Sequence, residues 1–411
     1  MTVLHKEIAI SAKSGYSKKN HAVFLASVFF FWFAIYIYTP VFGLYLENIG
    51  FSYNFIGFIL GSYGITQILF RFPLGILSDL LHGMRRHLLV LGFIMAFISC
   101  LLLLVSESFY VILTARLLAG ITASMWVMAT ILYSHYFSKE QSAKAMSILQ
   151  FLTVFSQFVS MAICGYLVEY FGWDLPFWIG TVSALLGAIL AWNIKEEKIE
   201  KVEKTKNILD MMKRTWHIPQ LKMMTFLSFI AHSVLFITIF GFTPIYAAAL
   251  GVKESSLLWL TSAFFIPHAL ATFSLVFIKV KQSYVSFVLI CCFAVASLFV
   301  FFIPYTDSLF TLSILHAVIG LSLGFVFPLL LGQVVHHSPG ELKMSAMGFH
   351  QSFYAIGILI GPMFAGYVAE TFGIHEVFYF TAILSILAAV LLIGVIMKNL
   401  IRRPVKKFMD F

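Results

Sequence analysis

Gly165-Tyr-Leu-Val-Glu169-Tyr-Phe-Gly172 returns as Gly366-Tyr-Val-Ala-Glu370-Thr-Phe-Gly373, 201 residues later. The same offset pairs Phe177 with Phe378, Ala145-Met146 with Ala346-Met347, and Gln150 with Gln351. One residue earlier in register, Arg116-Leu-Leu-Ala-Gly120 lies against His316-Ala-Val-Ile-Gly320. Thr39-Pro40 and Thr243-Pro244 hold corresponding places near the start of each half. The chain therefore reads as one structural unit written twice in the same direction.

The solvent of that unit is a bilayer. Hydrophobic residues make up 61% of the 411 residues and charged residues 11%, against about 25% charged in soluble domains. So apolar a chain cannot cover itself with polar groups. This excludes a soluble enzyme, a nucleic-acid-binding module and a disordered chain. Apolar runs of about 20 residues suffice to cross the hydrocarbon. They fall near 22–46, 53–78, 87–106, 109–136, 145–170, 176–194, 223–249, 256–278, 284–304, 309–335, 346–370 and 376–397. The expected fold is an all-α membrane protein of about 12 transmembrane helices in two pseudo-symmetric six-helix bundles. The expected halves are 1–194 and 223–411, joined by a charged linker, 195–222.

Charge sets the expected orientation. With the N-terminus inside, 24 of the 27 Lys and Arg residues fall on the cytoplasmic side. Lys253 falls outside, while Arg71 and Arg116 fall within spans. This asymmetry predicts a multi-pass plasma-membrane protein with both termini cytoplasmic. The net charge of +9 then faces the anionic leaflet and needs no nucleic acid. The polar, basic first 21 residues do not read as a cleavable signal.

Charges inside a bilayer are costly and mark function by default. Two arginines, Arg71 and Arg116, lie within spans that carry no mid-span Asp or Glu. Arginine can fork onto a carboxylate or phosphate, so the pair points to an anionic solute; the alternative is a structural role on helix-end carbonyls. Gly64, Gln67, Arg71 and Gly75 recur at helical spacing. His232, His268, His316 and His350 also fall within spans. They are candidate proton carriers, or hydrogen-bonded packing residues. His316, matched to Arg116 by the repeat, favours Arg116 as the stronger anion contact. Tyr36, Thr39, Gln150, Gln157, Gln351 and Tyr354 complete the expected pathway lining. The phenylalanines read as lipid-facing and packing surface. Cys100, Cys164, Cys291 and Cys292 lack metal-ligand spacing, so no metal and no cofactor is expected. Gly320-x-Ser322-x-Gly324 fits a hydrolase pattern, but it lies in an apolar span without the required strand-turn-helix elbow.

After the second span comes Gly75-Ile-Leu-Ser-Asp79-Leu-Leu-His-Gly83-Met-Arg85-Arg86. It resembles the loop signature of the major facilitator superfamily, G-x-L-[AS]-D-R-x-G-R-R, with Leu80 in place of the basic residue and Gly83 one place late. Arg116-x-x-x-Gly120 is similar to that superfamily's fourth-helix motif. Gly357-x-x-x-Gly361-Pro362 resembles a glycine-proline motif of antiporters, but that motif belongs in the fifth span, which lacks it. The resemblance covers nearly the whole chain. It implies transport by alternating access, with Gly75, Asp79, Gly83, Arg85 and Arg86 as gating residues. The resulting expectation is a secondary transporter, a monomer in lipid, moving a small organic solute outward, with coupling to a proton gradient open. The alternatives are an uptake permease or symporter for a small anionic metabolite, and a transporter-like membrane sensor.

Overall fold

The structure, a computed structural model, describes residues 16–77, 83–137, 142–196, 208–278, 280–339 and 342–407. Twelve helices are long and apolar enough to cross a membrane, from Lys18–Asn48 to Ile374–Met397, and no strand occurs among the described residues. Each coincides with an apolar run in the sequence, its ends shifted by a few residues. Outward-facing side chains such as Phe151, Trp259 and Phe310 remain exposed, because their solvent is lipid rather than water.

The first span is two helices, α1 (Lys18–Tyr36) and α2 (Thr39–Asn48). Pro40 stands in the first turn of α2, where its missing N–H removes nothing the helix would use. The Thr39 hydroxyl donates back to the Ile35 carbonyl at 3.2 Å, across the break. Spans two to six are α3 (Tyr53–Leu77), α4 (Arg85–Val105), α5 with α6 (Phe109–Ser124 and Trp126–Ser134), α7 (Ser142–Phe171) and α8 (Asp174–Trp192). The linker carries a short helix, α9 (Ile208–Trp216). It is not wholly solvated: Thr215 is buried, its hydroxyl 2.6 Å from that of Ser345.

The seventh span repeats the break of the first. Helix α10 (Leu221–Ile237) passes through a π-turn, Thr238–Phe242, into α11 (Thr243–Ala249). Pro244 lies in the first turn of α11. The remaining spans are α12 (Leu257–Phe277), α13 (Gln282–Phe301), α14 (Leu309–His337), α15 (Lys343–Phe372) and α16 (Ile374–Lys407).

The second and eleventh spans make the most extensive helix pair between the first six and the last six. A Cβ on Gly57 would stand 2.3 Å from the Pro362 carbonyl oxygen, and one on Gly61 2.3 Å from that of Leu359. Only glycine allows so close an approach, which in lipid replaces the hydrophobic effect with van der Waals contact. This pairing runs α3 along α15 and places Arg71 against the last six spans.

Candidate functional site

Arg71 lies two turns from the end of α3 and is buried. One terminal nitrogen donates to the Tyr354 hydroxyl at 2.5 Å, and the other donates to the Ala123 carbonyl at 3.3 Å. Its Nε is buried with no acceptor. The Tyr354 ring stacks on His232, with centroids 3.7 Å apart and planes 5° apart. His232 Nδ1 donates to the Ser228 carbonyl at 2.8 Å, which fixes its tautomer and tilt. His350, on the turn before Tyr354, meets the same tyrosine edge-on at 5.5 Å. Its two nitrogens stand 3.3 Å from the Thr225 and Ser228 hydroxyls. Arg71, Tyr354, His232 and His350 are thus one cluster, drawn from α3, α15 and α10.

Arg116, on α5, is held differently. One terminal nitrogen donates to the Leu60 carbonyl at 3.2 Å. The guanidinium lies 4.9 Å from the Tyr63 ring centroid and 5.2 Å from that of Phe42. Its Nε too is buried without an acceptor. Tyr36 lies within Coulombic reach of both arginines. Between them, Gln67 donates to the Tyr63 carbonyl at 2.9 Å, while its side-chain oxygen is left without a partner. The Gln351 side-chain oxygen is likewise unpartnered. Among the described residues no carboxylate pairs with either arginine; the one ion pair, Arg214 with Asp210 at 3.9 Å, lies on α9. Carbonyls and ring faces offset part of the cost of burying a cation, and the remaining field and free N–H groups suit an anion.

Aromatic rings surround these charges. Tyr36 meets Phe240 at 5.5 Å, Phe240 meets Phe265 at 6.2 Å, and Phe265 meets Phe158 at 6.3 Å. Trp32 meets Trp126 at 5.2 Å, and Phe327 stands 4.7 Å from His232. Reading phenylalanine as lipid and packing surface misses this wall. A signal is present: Trp32 and Tyr36 precede Thr39-Pro40 by seven and three residues, as Phe236 and Phe240 precede Thr243-Pro244.

The structure does not bring every expected pathway residue here. His316 is fully buried; its Nδ1 donates to the Leu312 carbonyl at 2.9 Å, and its Nε2 lies 3.1 Å from the Thr243 hydroxyl. Both ring nitrogens have partners, which removes the repeat argument for ranking Arg116 above Arg71. His268 is buried beside Phe264 and Phe327 with Nδ1 unpartnered. Thr39 is half-buried and spends its hydroxyl on Ile35. Gln157 is half-buried on α7, whereas Gln150 is exposed.

Of the loop motif, Asp79 lies outside the described residues. Gly75 packs on α15, where an added Cβ would stand 3.1 Å from Gly348 Cα. Gly83 turns with φ +76°. Its N–H and that of Arg86 donate to the two carboxylate oxygens of Glu196, each at 3.2 Å. Glu196 thereby caps α4 and meets the positive end of its dipole. By sequence alone Glu196 is one more acid of the linker. Arg85 is buried, with a terminal nitrogen 3.4 Å from His135 Nδ1, and Arg86 lies 6.0 Å from the Trp192 ring.

Twelve spans, the first and seventh broken at matched places, enclose these buried charged groups. The chain belongs to the Major Facilitator Superfamily, whose profile matches residues 24–278 and 223–408. That membership makes it a membrane transporter, not an enzyme. An uncharacterized transporter of Buchnera aphidicola subsp. Schizaphis graminum is 30% identical over 151 residues, only 37% of each chain. The proton-coupled antiporter flippase LtaA of Staphylococcus haemolyticus is 24% identical over 396 residues, 90% of this chain and 93% of that protein. A crystal structure of a mutant of the nucleoside transporter NupG shares the fold with a TM-score of 0.74 at 14% identity, over 91% of this chain and 99% of that one.

Proposed function

We propose that the protein is a secondary transporter that exports a small organic anion with an aromatic or otherwise apolar body. The observation that carries the reading is the pair Arg71 and Arg116: buried cations, each with an unpartnered N–H, set among aromatic rings and paired with no carboxylate among the described residues. The anionic group takes the arginines, and the rings take the body. Units 1–194 and 223–411 rock about this site, joined by 195–222, with both termini in the cytoplasm and the Gly75–Arg86 loop gating that side. The full-length similarity to a proton-coupled antiporter supports export in exchange for protons. His232 and His350, packed on the tyrosine that Arg71 holds, are the carriers best placed to feel the solute's charge.

The test uses purified full-length protein and three matched probes: an arylsulfonate, the corresponding aryl-trimethylammonium and the neutral aryl alcohol. The sulfonate should raise the melting temperature and the cation should not. Stabilisation by the cation above the sulfonate would overturn the anion reading.

A further inference from the structure

The repeated eight-residue motif with which the sequence announces its duplication has no part in the central site. Its two copies nevertheless do the same thing. Glu169, near the end of α7, accepts a hydrogen bond from the backbone N–H of Ser255 at 2.9 Å. Glu370, near the end of α15, accepts one from the backbone N–H of Tyr53 at 2.8 Å. Ser255 lies in the turn Glu254–Ser256 that opens α12, and Tyr53 is the first residue of α3. Each carboxylate thus caps a helix N-terminus, where unpaired N–H groups and the dipole favour a negative charge.

The glycine one turn earlier makes each contact sterically feasible. A Cβ on Gly165 would stand 1.9 Å from the Glu254 carbonyl oxygen, and one on Gly366 2.3 Å from that of Tyr53. No side chain fits at either place. Of the other motif positions, Tyr166, Tyr367, Phe171 and Phe372 are exposed, Val168 and Ala369 are buried, and Gly172 and Gly373 end the helices at φ +89° and +107°. The glycine and glutamate of each copy reach across, each from one set of six spans to the other. The fifth span grips the eighth, and the eleventh grips the second.

Both grips lie on the face opposite the N-terminus and the linker. The same face is closed between α2 and α11, where a Cβ on Gly43 would stand 3.1 Å from both the Gly241 carbonyl oxygen and Ile245 Cδ1. Lys253 lies two residues before Ser255, and Glu47 accepts a hydrogen bond from the Tyr53 hydroxyl at 2.8 Å, on the residue whose N–H Glu370 holds.

We propose that Gly165 with Glu169, and Gly366 with Glu370, form a duplicated latch that holds this face closed and must release the N-termini of α12 and α3 for it to open. The glutamates are positioning residues: they set the balance between closed and open forms without touching the solute. The inference rests on the alternating-access reading above.

The test places a reporter thiol at Ile245, buried between α2 and α11, in full-length protein in proteoliposomes. An impermeant maleimide is supplied from the latch face, with the parent lacking the reporter as background. A hydrogen bond to a charged group is worth enough to shift a two-state balance by about tenfold to a hundredfold. Glu169→Ala and Glu370→Ala should each raise the labelling rate by about tenfold or more, with the double variant faster than either single one. The glutamine variants, which keep an acceptor but lose the charge, should fall between. Gly165→Leu and Gly366→Leu should also expose the reporter; if they fail to insert, the alanine variants decide. Labelling unchanged in both alanine variants of correctly inserted protein overturns the latch. If labelling changes while no solute is carried, the latch stands and the transport reading falls. If solute is carried at wild-type rates with labelling unmoved, the latch alone falls.

Discussion

The fourth and tenth spans occupy the same place in the repeat and do opposite things with it. Gly120 and Gly320 match in both sequence and role: a Cβ on either would stand 2.2 Å from a neighbour, the Thr66 hydroxyl oxygen in one case and the Phe264 carbonyl in the other. Four residues before each glycine the symmetry ends. Arg116 keeps a buried N–H without an acceptor. His316 has a partner at each ring nitrogen. Packing has been duplicated and charge has not. A buried cation costs several kcal/mol unless it is paired, whereas a polar ring with a partner at each nitrogen is cheap to keep. Function is therefore read from what is left unsatisfied, not from position in the repeat.

The largest effect expected of this difference falls on the arginines. Arg71→Gln and Arg116→Gln should each weaken binding of the arylsulfonate probe by about tenfold to a hundredfold, the range of one charge-assisted hydrogen bond. The lysine variants should lose less, since they keep charge without the planar fork. Arg71 should be the larger loss, because it ties α3 to Tyr354 on α15. Calorimetric titration of inserted variants measures both; equal affinities in all four variants would erase the distinction between the spans.

The matched histidine should respond in stability rather than in binding. His316→Leu strands the Thr243 hydroxyl in the interior, a cost of about 1–3 kcal/mol. A lower melting temperature with probe affinity within about twofold is the expected pair of results. A large loss of affinity would instead return His316 to the pathway.

The smallest contrast lies in another matched pair. Gln351 is buried with its side-chain oxygen unpartnered, and Gln150 is exposed. Gln150→Ala should leave transport of the probe within experimental scatter, and Gln351→Ala should slow it several-fold. Equal slowing in initial-rate assays would show that the fifth span rotates to bring Gln150 inward during the cycle.

The spans were legible because burial in lipid needs only a long apolar run. The matched Thr39-Pro40 and Thr243-Pro244 pairs were legible as well, but not that these prolines mark breaks, since Pro73, Pro267, Pro328 and Pro362 stand inside continuous helices. Arg71, Gln67, Tyr354, Gln351, His232 and His350 could be named as candidates by type. Their grouping could not, because Arg71 meets Tyr354 across 283 residues of chain, and no local pattern encodes that separation. Glu196 escapes notice because it stands in a charged segment where nothing distinguishes a helix cap from a solvated acid. Glu169 and Glu370 are visible twice over, as a repeat and as acids, yet the helix ends they cap belong to distant spans. The aromatic wall is hidden by abundance: among 45 phenylalanines, the few that face inward differ from the rest only in phase relative to the Thr-Pro breaks.

The π-turn at Thr238–Phe242 has a consequence for how the gene can change. A helix forms such a turn when it gains one residue while the turns on either side keep their places. Elsewhere in a span, gain or loss of a residue swings every later side chain by about 100°. Here the slack is already built in, just before Thr243 and the strip that closes on Gly43. The seventh span can therefore absorb a change of length at the one place where its lower half faces the central site and its upper half faces the opposite helix. The two surfaces can drift apart in phase without either losing its partner.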